Sequence, residues 1–140
     1  MVAKDKLYTE AEAVYRRFLA EEARILRSGG VTEPTAVLLE TASGEFLSNV
    51  MSTYRSLAKK KISATGPDPE LVYLRRAPGR SKGGSMVSAT TCVDGRALEF
   101  RQSGAVTGRG QVALDEIYLG RFDGVLKLIG ADGSQVDSCD

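Results

Sequence analysis

The sequence predicts an α+β fold, with three N-terminal helices packed on a curved antiparallel sheet of four to five strands. Apolar residues recur at three- and four-residue steps as far as Lys61, and beyond it they tend to alternate. The Asp-Gly dipeptides that close tight turns (Asp94-Gly95, Asp123-Gly124, Asp132-Gly133) all fall in the second half. Helices and strands that are segregated in this way pack as a helical layer on one face of a sheet. The length of 140 residues, 42% apolar and 26% charged, suits one domain with a real core.

Residues 1–7 open with the charged run Met1-Val2-Ala3-Lys4-Asp5-Lys6 and are expected to be disordered or introduced for expression, leaving residues 8–140 as a single domain. Thr9-Glu10-Ala11-Glu12 has capping-box form. After it Ala11, Val14, Tyr15, Phe18, Leu19, Ile25 and Leu26 make an apolar helical stripe that only Glu22 breaks, and Ser28-Gly29-Gly30 ends it. Thr32-Glu33-Pro34 opens a second helix that runs to Thr41. A third carries Phe46, Leu47, Val50, Met51, Tyr54 and Leu57 on one face, and Lys59-Lys60-Lys61 suits its C-terminal dipole.

The period then changes. Ile62–Thr65 is a short extended piece closed by the turn Gly66-Pro67-Asp68-Pro69, and Leu71–Leu74 reads as a strand. Residues 77–84 form a basic flexible loop before a strand from Met86 to Val93. Asp94-Gly95 is expected to turn the chain into a strand over 97–101. Val112 to Leu119 and Val125 to Ile129 pair across Asp123-Gly124, and Asp132-Gly133 leads into a terminal tail.

Composition removes several kinds of chemistry. The chain has no His, the commonest general base near neutral pH and the commonest metal ligand. Its two cysteines, Cys92 and Cys139, lack CxxC spacing, so no zinc or dithiol motif is present, and no metal or cofactor is expected. Both sit at strand ends beside an Asp and are the only cysteines, which reads as a disulfide; two unrelated buried thiols are the alternative. Such a bond closes a loop of roughly 47 residues, worth about 4 kcal/mol by chain entropy, and would pin the last strand.

Residues 55–109 carry eleven Lys or Arg against four acids, a net +7 within a chain of net +1. Arg75, Arg76, Arg80 and Lys82 are the candidate basic surface, though a solvated, mixed-charge surface is the simpler account. Nucleic acid is therefore not the expected partner. The loop Gly79-Arg80-Ser81-Lys82-Gly83-Gly84-Ser85 lacks phosphate-loop spacing and lies between strands. Tyr15, Phe18, Tyr54, Tyr73 and Tyr118 are candidate pocket-lining residues, each an apolar body and most with a hydroxyl at the tip. Glu99, Asp115 and Glu116 lie in or near strands, and one of them facing inward beside a Tyr would resemble a proton-transfer site. Ordinary core tyrosines and surface acids remain the simpler reading.

Leu39-Glu40-Thr41-Ala42-Ser43-Gly44-Glu45-Phe46-Leu47, Thr91-Cys92-Val93-Asp94, and Arg121-Phe122-Asp123-Gly124-Val125-Leu126-Lys127-Leu128 with the closing Cys139 are short motifs set in this layout. Over residues 8–139 the chain resembles the nuclear-transport-factor-two-like, cystatin-like cone domains. More narrowly, it is similar to small exported envelope proteins and lipoproteins of actinobacteria whose role is unknown. Members of that group usually place a Trp after the final hairpin turn, where Val125 or Leu126 stands here. The resemblance implies a cone whose helices cap a concave sheet, and an extracellular or cell-surface location reached by an export signal or lipid anchor upstream. A cytoplasmic location is the alternative.

The expected function is that of a non-catalytic exported module binding a small apolar ligand or a protein partner, possible homodimer included, with membrane contact only through an upstream anchor. A periplasmic assembly component, or an isomerase- or cyclase-like enzyme with a carboxylate in the cone, are the alternatives.

Overall fold

The computed structural model describes residues 2–140, with side chains from Asp5 onward. Helix α1 spans Val2–Ser28, α2 Ala36–Thr41 and α3 Gly44–Lys60. The first helix begins before the expected domain boundary, because the stripe reaches further back: Leu7 packs on the core and Tyr8 and Ala11 are buried in it. The Thr9 hydroxyl donates to the Asp5 carbonyl at 3.0 Å, a bond made inside a helix, so Thr9 does not cap. Asp5 also pairs with Arg76 at 2.5 Å. Helix α2 is capped one turn later than the sequence suggests. Its cap is Thr35, whose hydroxyl accepts from the Leu38 amide at 3.2 Å. Helix α3 ends on Lys61 in the left-handed conformation, after the basic pair Lys59 and Lys60 in its last turn.

The strands are β1 Ile62–Thr65, β2 Glu70–Arg76, β3 Val87–Asp94, β4 Glu99–Gln102, β5 Ala105–Arg109, β6 Val112–Phe122 and β7 Val125–Val136. They form two antiparallel sheets, ordered β2-β3-β6-β7 and β1-β4-β5, where one curved sheet of four to five strands was expected. The division comes from a bend. Asp94 faces Val112 and Glu99 faces Arg109, so β3–β4 and β5–β6 are the two legs of one long ribbon. Between them the Gly95 amide donates to the Gln111 carbonyl and the Gly110 amide to the Leu98 carbonyl, each at 2.9 Å. The two backbones meet so closely at the bend that a Cβ on Gly110 would strike the Gly95 carbonyl. Asp94-Gly95 is therefore a corner in a continuing ribbon, not the hairpin turn that was expected.

The true turns are Ser103-Gly104 and Asp123-Gly124, in which both residues have positive φ, the geometry that matches strand twist. Strand β7 continues through Asp132-Gly133, which pairs with Glu116 and Asp115 instead of starting a tail.

One face of the four-stranded sheet meets the helices. Tyr15, Phe18 and Ile25 of α1, Leu38 of α2 and Phe46, Met51 and Tyr54 of α3 pack there against Val87, Ala89, Ile117, Leu119, Leu126 and Leu128. Phe18 and Phe46 meet edge-on with ring centres 5.0 Å apart. Cys92 points to the opposite face, where it is joined to Cys139 with Cα atoms 5.8 Å apart. No helix among the described residues is long and apolar enough to cross a membrane.

Candidate functional site

The apolar packing between helices and sheet is incomplete between α1, α3 and β6. A cavity of about 260 Å³ lies there, walled by Tyr15, Phe18, Leu19 and Glu22 of α1 and by Phe46 and Val50 of α3. Its floor is Val93 of β3, Ala113, Asp115 and Ile117 of β6, and Ala131 of β7. A neighbouring depression lined by Asn49, Thr53 and Tyr54 shares Glu22, Phe46, Val50 and Ala131 with it. Asn49, Thr53 and Ala131 are exposed, so the mouth opens between α3 and β7. No Lys or Arg lines the cavity.

Local structure explains why two acids face it. Glu22 continues the Tyr15–Phe18 stripe one turn on, so helical geometry turns it inward. On β6, Ala113, Asp115 and Ile117 share the inward phase of the strand, which alternates with Leu114 and Glu116. Opposite Asp115 on β7 stands Gly133, and a Cβ there would collide with the Asp115 carboxylate. Glycine at this register position is what leaves the carboxylate its place.

Burial pushes the Glu22 carboxyl above the usual carboxylate range; the hydrogen bond donated by the Tyr54 hydroxyl opposes this, and the charge of Asp115 adds to it. Glu22 keeps some accessible surface, as a cavity-lining group does. Burial alone raises Asp115, which takes no hydrogen bond from any described residue. Tyr15 is held protonated mainly by burial, with the charges of Asp115 and Glu22 adding, although Thr91 donates to its oxygen at 3.2 Å. Since Thr91 supplies that bond, the phenolic proton of Tyr15 remains free to donate. Tyr54 is likewise raised by burial first, and then by the charge and hydrogen bond of Glu22.

The structure brings together only part of the residue set read from the sequence. Tyr15 and Phe18 line the cavity and Tyr54 the adjoining depression. Tyr73 lies on β2 opposite Cys92 with the Arg75 guanidinium 3.9 Å from its ring centre. Tyr118 lies on the outward phase of β6, packed near Gly130 and the Lys82 side chain. Of the acids, Asp115 faces inward, whereas Glu99 pairs with Arg101 and Arg109 at 3.0 and 2.7 Å and Asp94 pairs with Arg96 at 2.7 Å. Glu116 faces outward beside Arg80 at 3.5 Å. Glu22 is legible in the sequence only as the single break in the α1 stripe.

The four basic candidates are spread out and mostly paired. Arg76 turns to the α1 side, over the Tyr8 ring and against Asp5. Arg75 lies over Tyr73, Arg80 meets Glu116, and Lys82 meets Asp132 at 2.8 Å. They do not build one cationic face. Among the described residues no group of three or more Cys, Asp or Glu side chains is placed to hold a metal ion.

Fold and site together define an α+β domain with an acid-bearing apolar cavity between its helical layer and its larger sheet. No protein family, no curated protein and no solved structure matches the chain.

Proposed function

We propose that this protein is a small-molecule-binding domain whose ligand site is the cavity between α1, α3 and the inward face of the β2-β3-β6-β7 sheet. The observation that carries the reading is the gap itself. About 260 Å³ between the helices and the sheet is left unfilled, near the lower end of ligand pockets, with mostly apolar walls and a few polar groups that converge on it. The Cys92–Cys139 bond supports work in an oxidising compartment, in keeping with an exported cone-type domain.

The test is a titration of the native protein with small neutral aromatic compounds, followed by NMR of its methyl groups. Shifts centred on Val50, Ala113, Ile117 and Ala131 are expected. Binding that perturbs only surface methyls, or none at all, overturns the reading.

A second reading, an isomerase- or cyclase-like enzyme, is favoured by one observation: Asp115 faces the cavity without a hydrogen-bond partner, as a general base would. It predicts deuterium incorporation next to the carbonyl of a small cyclic ketone in heavy water. Equal incorporation by Asp115→Asn would remove it.

A further inference from the structure

We infer that the cavity is built for an organic cation, a small apolar molecule carrying a protonated primary amine, with Glu22 and Asp115 as its counter-charges and the aromatic wall as its apolar seat. This rests on the reading of the cavity as a ligand site and names the ligand's chemistry.

Four observations carry it. Two carboxylates from elements far apart in the chain, α1 and β6, converge on one cavity, open between α3 and β7. That space has no basic side chain on its walls, although the chain holds 19 Lys and Arg and pairs most of its other acids with them. The acids also keep unused acceptors: Asp115 has no partner among the described residues, and the hydrogen bond from Tyr54 engages only one oxygen of Glu22. Finally, Tyr15, Phe18 and Phe46 present ring surface to the same space.

Carboxylates drawn out of water need both positive charge and hydrogen-bond donors. A primary ammonium brings three donors and one charge in the smallest volume. Aromatic faces attract the same cation through their quadrupoles. An anionic ligand is repelled by the pair, and a neutral one leaves it unpaired.

The groups that titrate toward this space are Tyr15 and Glu22 from α1, Tyr54 from α3 and Asp115 from β6. Strands β3 and β7 contribute Thr91, Val93 and Ala131, none of which ionises. Because burial raises both acids, acidification protonates them ahead of the surface carboxylates and removes the ammonium's counter-charges, so amine affinity falls on acidification.

The experiment is calorimetric titration at pH 7.5 with 2-phenylethylamine, 2-phenylethanol and 3-phenylpropanoate, repeated at pH 4.5. The amine is expected to bind about tenfold or more tighter than the alcohol, the weight of one charge-assisted hydrogen bond, with the carboxylate weakest. The amine's advantage over the alcohol shrinks at pH 4.5, and in Asp115→Asn or Glu22→Gln. If the alcohol binds in the cavity as tightly as the amine, or both variants keep the preference, the inference is overturned and the cavity reading stands. If none of the three binds, both fall. The comparison of ligands on the unaltered protein needs no variant to fold.

Discussion

Asp115 and Glu22 set a pH dependence opposite to that of the surface carboxylates. In the unfolded chain each ionises near its ordinary value of about 4. In the fold each holds its proton to higher pH. Stability is therefore highest, as far as these two groups go, below the unfolded value, and it declines as pH rises through the raised folded values. Glu10 beside Arg121, Glu21 beside Arg24, Asp94 beside Arg96 and Glu99 beside Arg101 are held low instead. Their contribution is present above the unfolded value and lost as pH falls through the lowered ones. As far as these six groups go, the protein should be most stable at mildly acidic pH, near their unfolded values of about 4, where both losses are smallest. Asp115→Asn is expected to raise stability at pH 7 by under about 1 kcal/mol, because it removes a half-buried, partly solvated charge with no partner among the described residues. The gain should vanish at pH 4. Thermal melts across pH check both points, and a variant equally stabilised at pH 4 would show that charge is not the cause. Tyr54→Phe should act the other way, costing about 1–3 kcal/mol at neutral pH by taking from Glu22 the donor it has.

The bent ribbon is the element on which the division into two sheets depends, and Gly110 is its tightest point. A methyl group there meets the Gly95 carbonyl, so backbone must move. Gly110→Ala should cost about 2–4 kcal/mol. Gly108→Ala, two residues earlier in β5 with open space around its Cβ position, should cost well under 1 kcal/mol. Denaturant melts of the two variants separate close approach from a general glycine effect, and equal losses would refute the account. Asp94-Gly95 reads as a hairpin turn because local turn chemistry is the same for a corner and a reversal; only the long-range pairing of β3 with β6 separates them. Strand β5, Ala105–Arg109, gives little signal because nearly all its residues face water and carry no apolar alternation. The same holds for the outer half of β7, whose Asp132-Gly133-Ser134-Gln135 is polar and exposed. By contrast the helices and the Asp123-Gly124 hairpin were legible, since period and turn type are local properties. The site was legible in pieces: Glu22 as a break in a stripe, Asp115 as an acid in a strand. Their convergence depends on how α1 lies across β6, which no local pattern encodes.

At the scale of the whole molecule, the disulfide ties the cavity to the chain end. Val136 pairs with Val112, and Val112 with Asp94, so β7 ends one strand beyond the β3 that its cysteine must reach. The final residues therefore cross β6 on the outward face, where Arg96 donates to the Asp137 carbonyl at 3.3 Å before Cys139 meets Cys92. Ala131 at the cavity mouth and Gly133 beneath Asp115 both belong to the β7 segment that this bond fastens down. Cutting it should have two effects of different kinds. Closure of a loop with a separation of 47 residues contributes at most about 4 kcal/mol, so reduction should lower Tm by about 10 °C. It should also weaken ligand binding well below the new Tm, because the outer half of β7 then frays and the floor under Asp115 loosens. A Cys92→Ala/Cys139→Ala protein, compared with the oxidised chain by melting and by titration at 20 °C, distinguishes the two. Loss of Tm with affinity intact would make the bond a staple for the fold alone. Loss of both would make the last strand part of the binding site's framework, and the intact bond a condition for its working form.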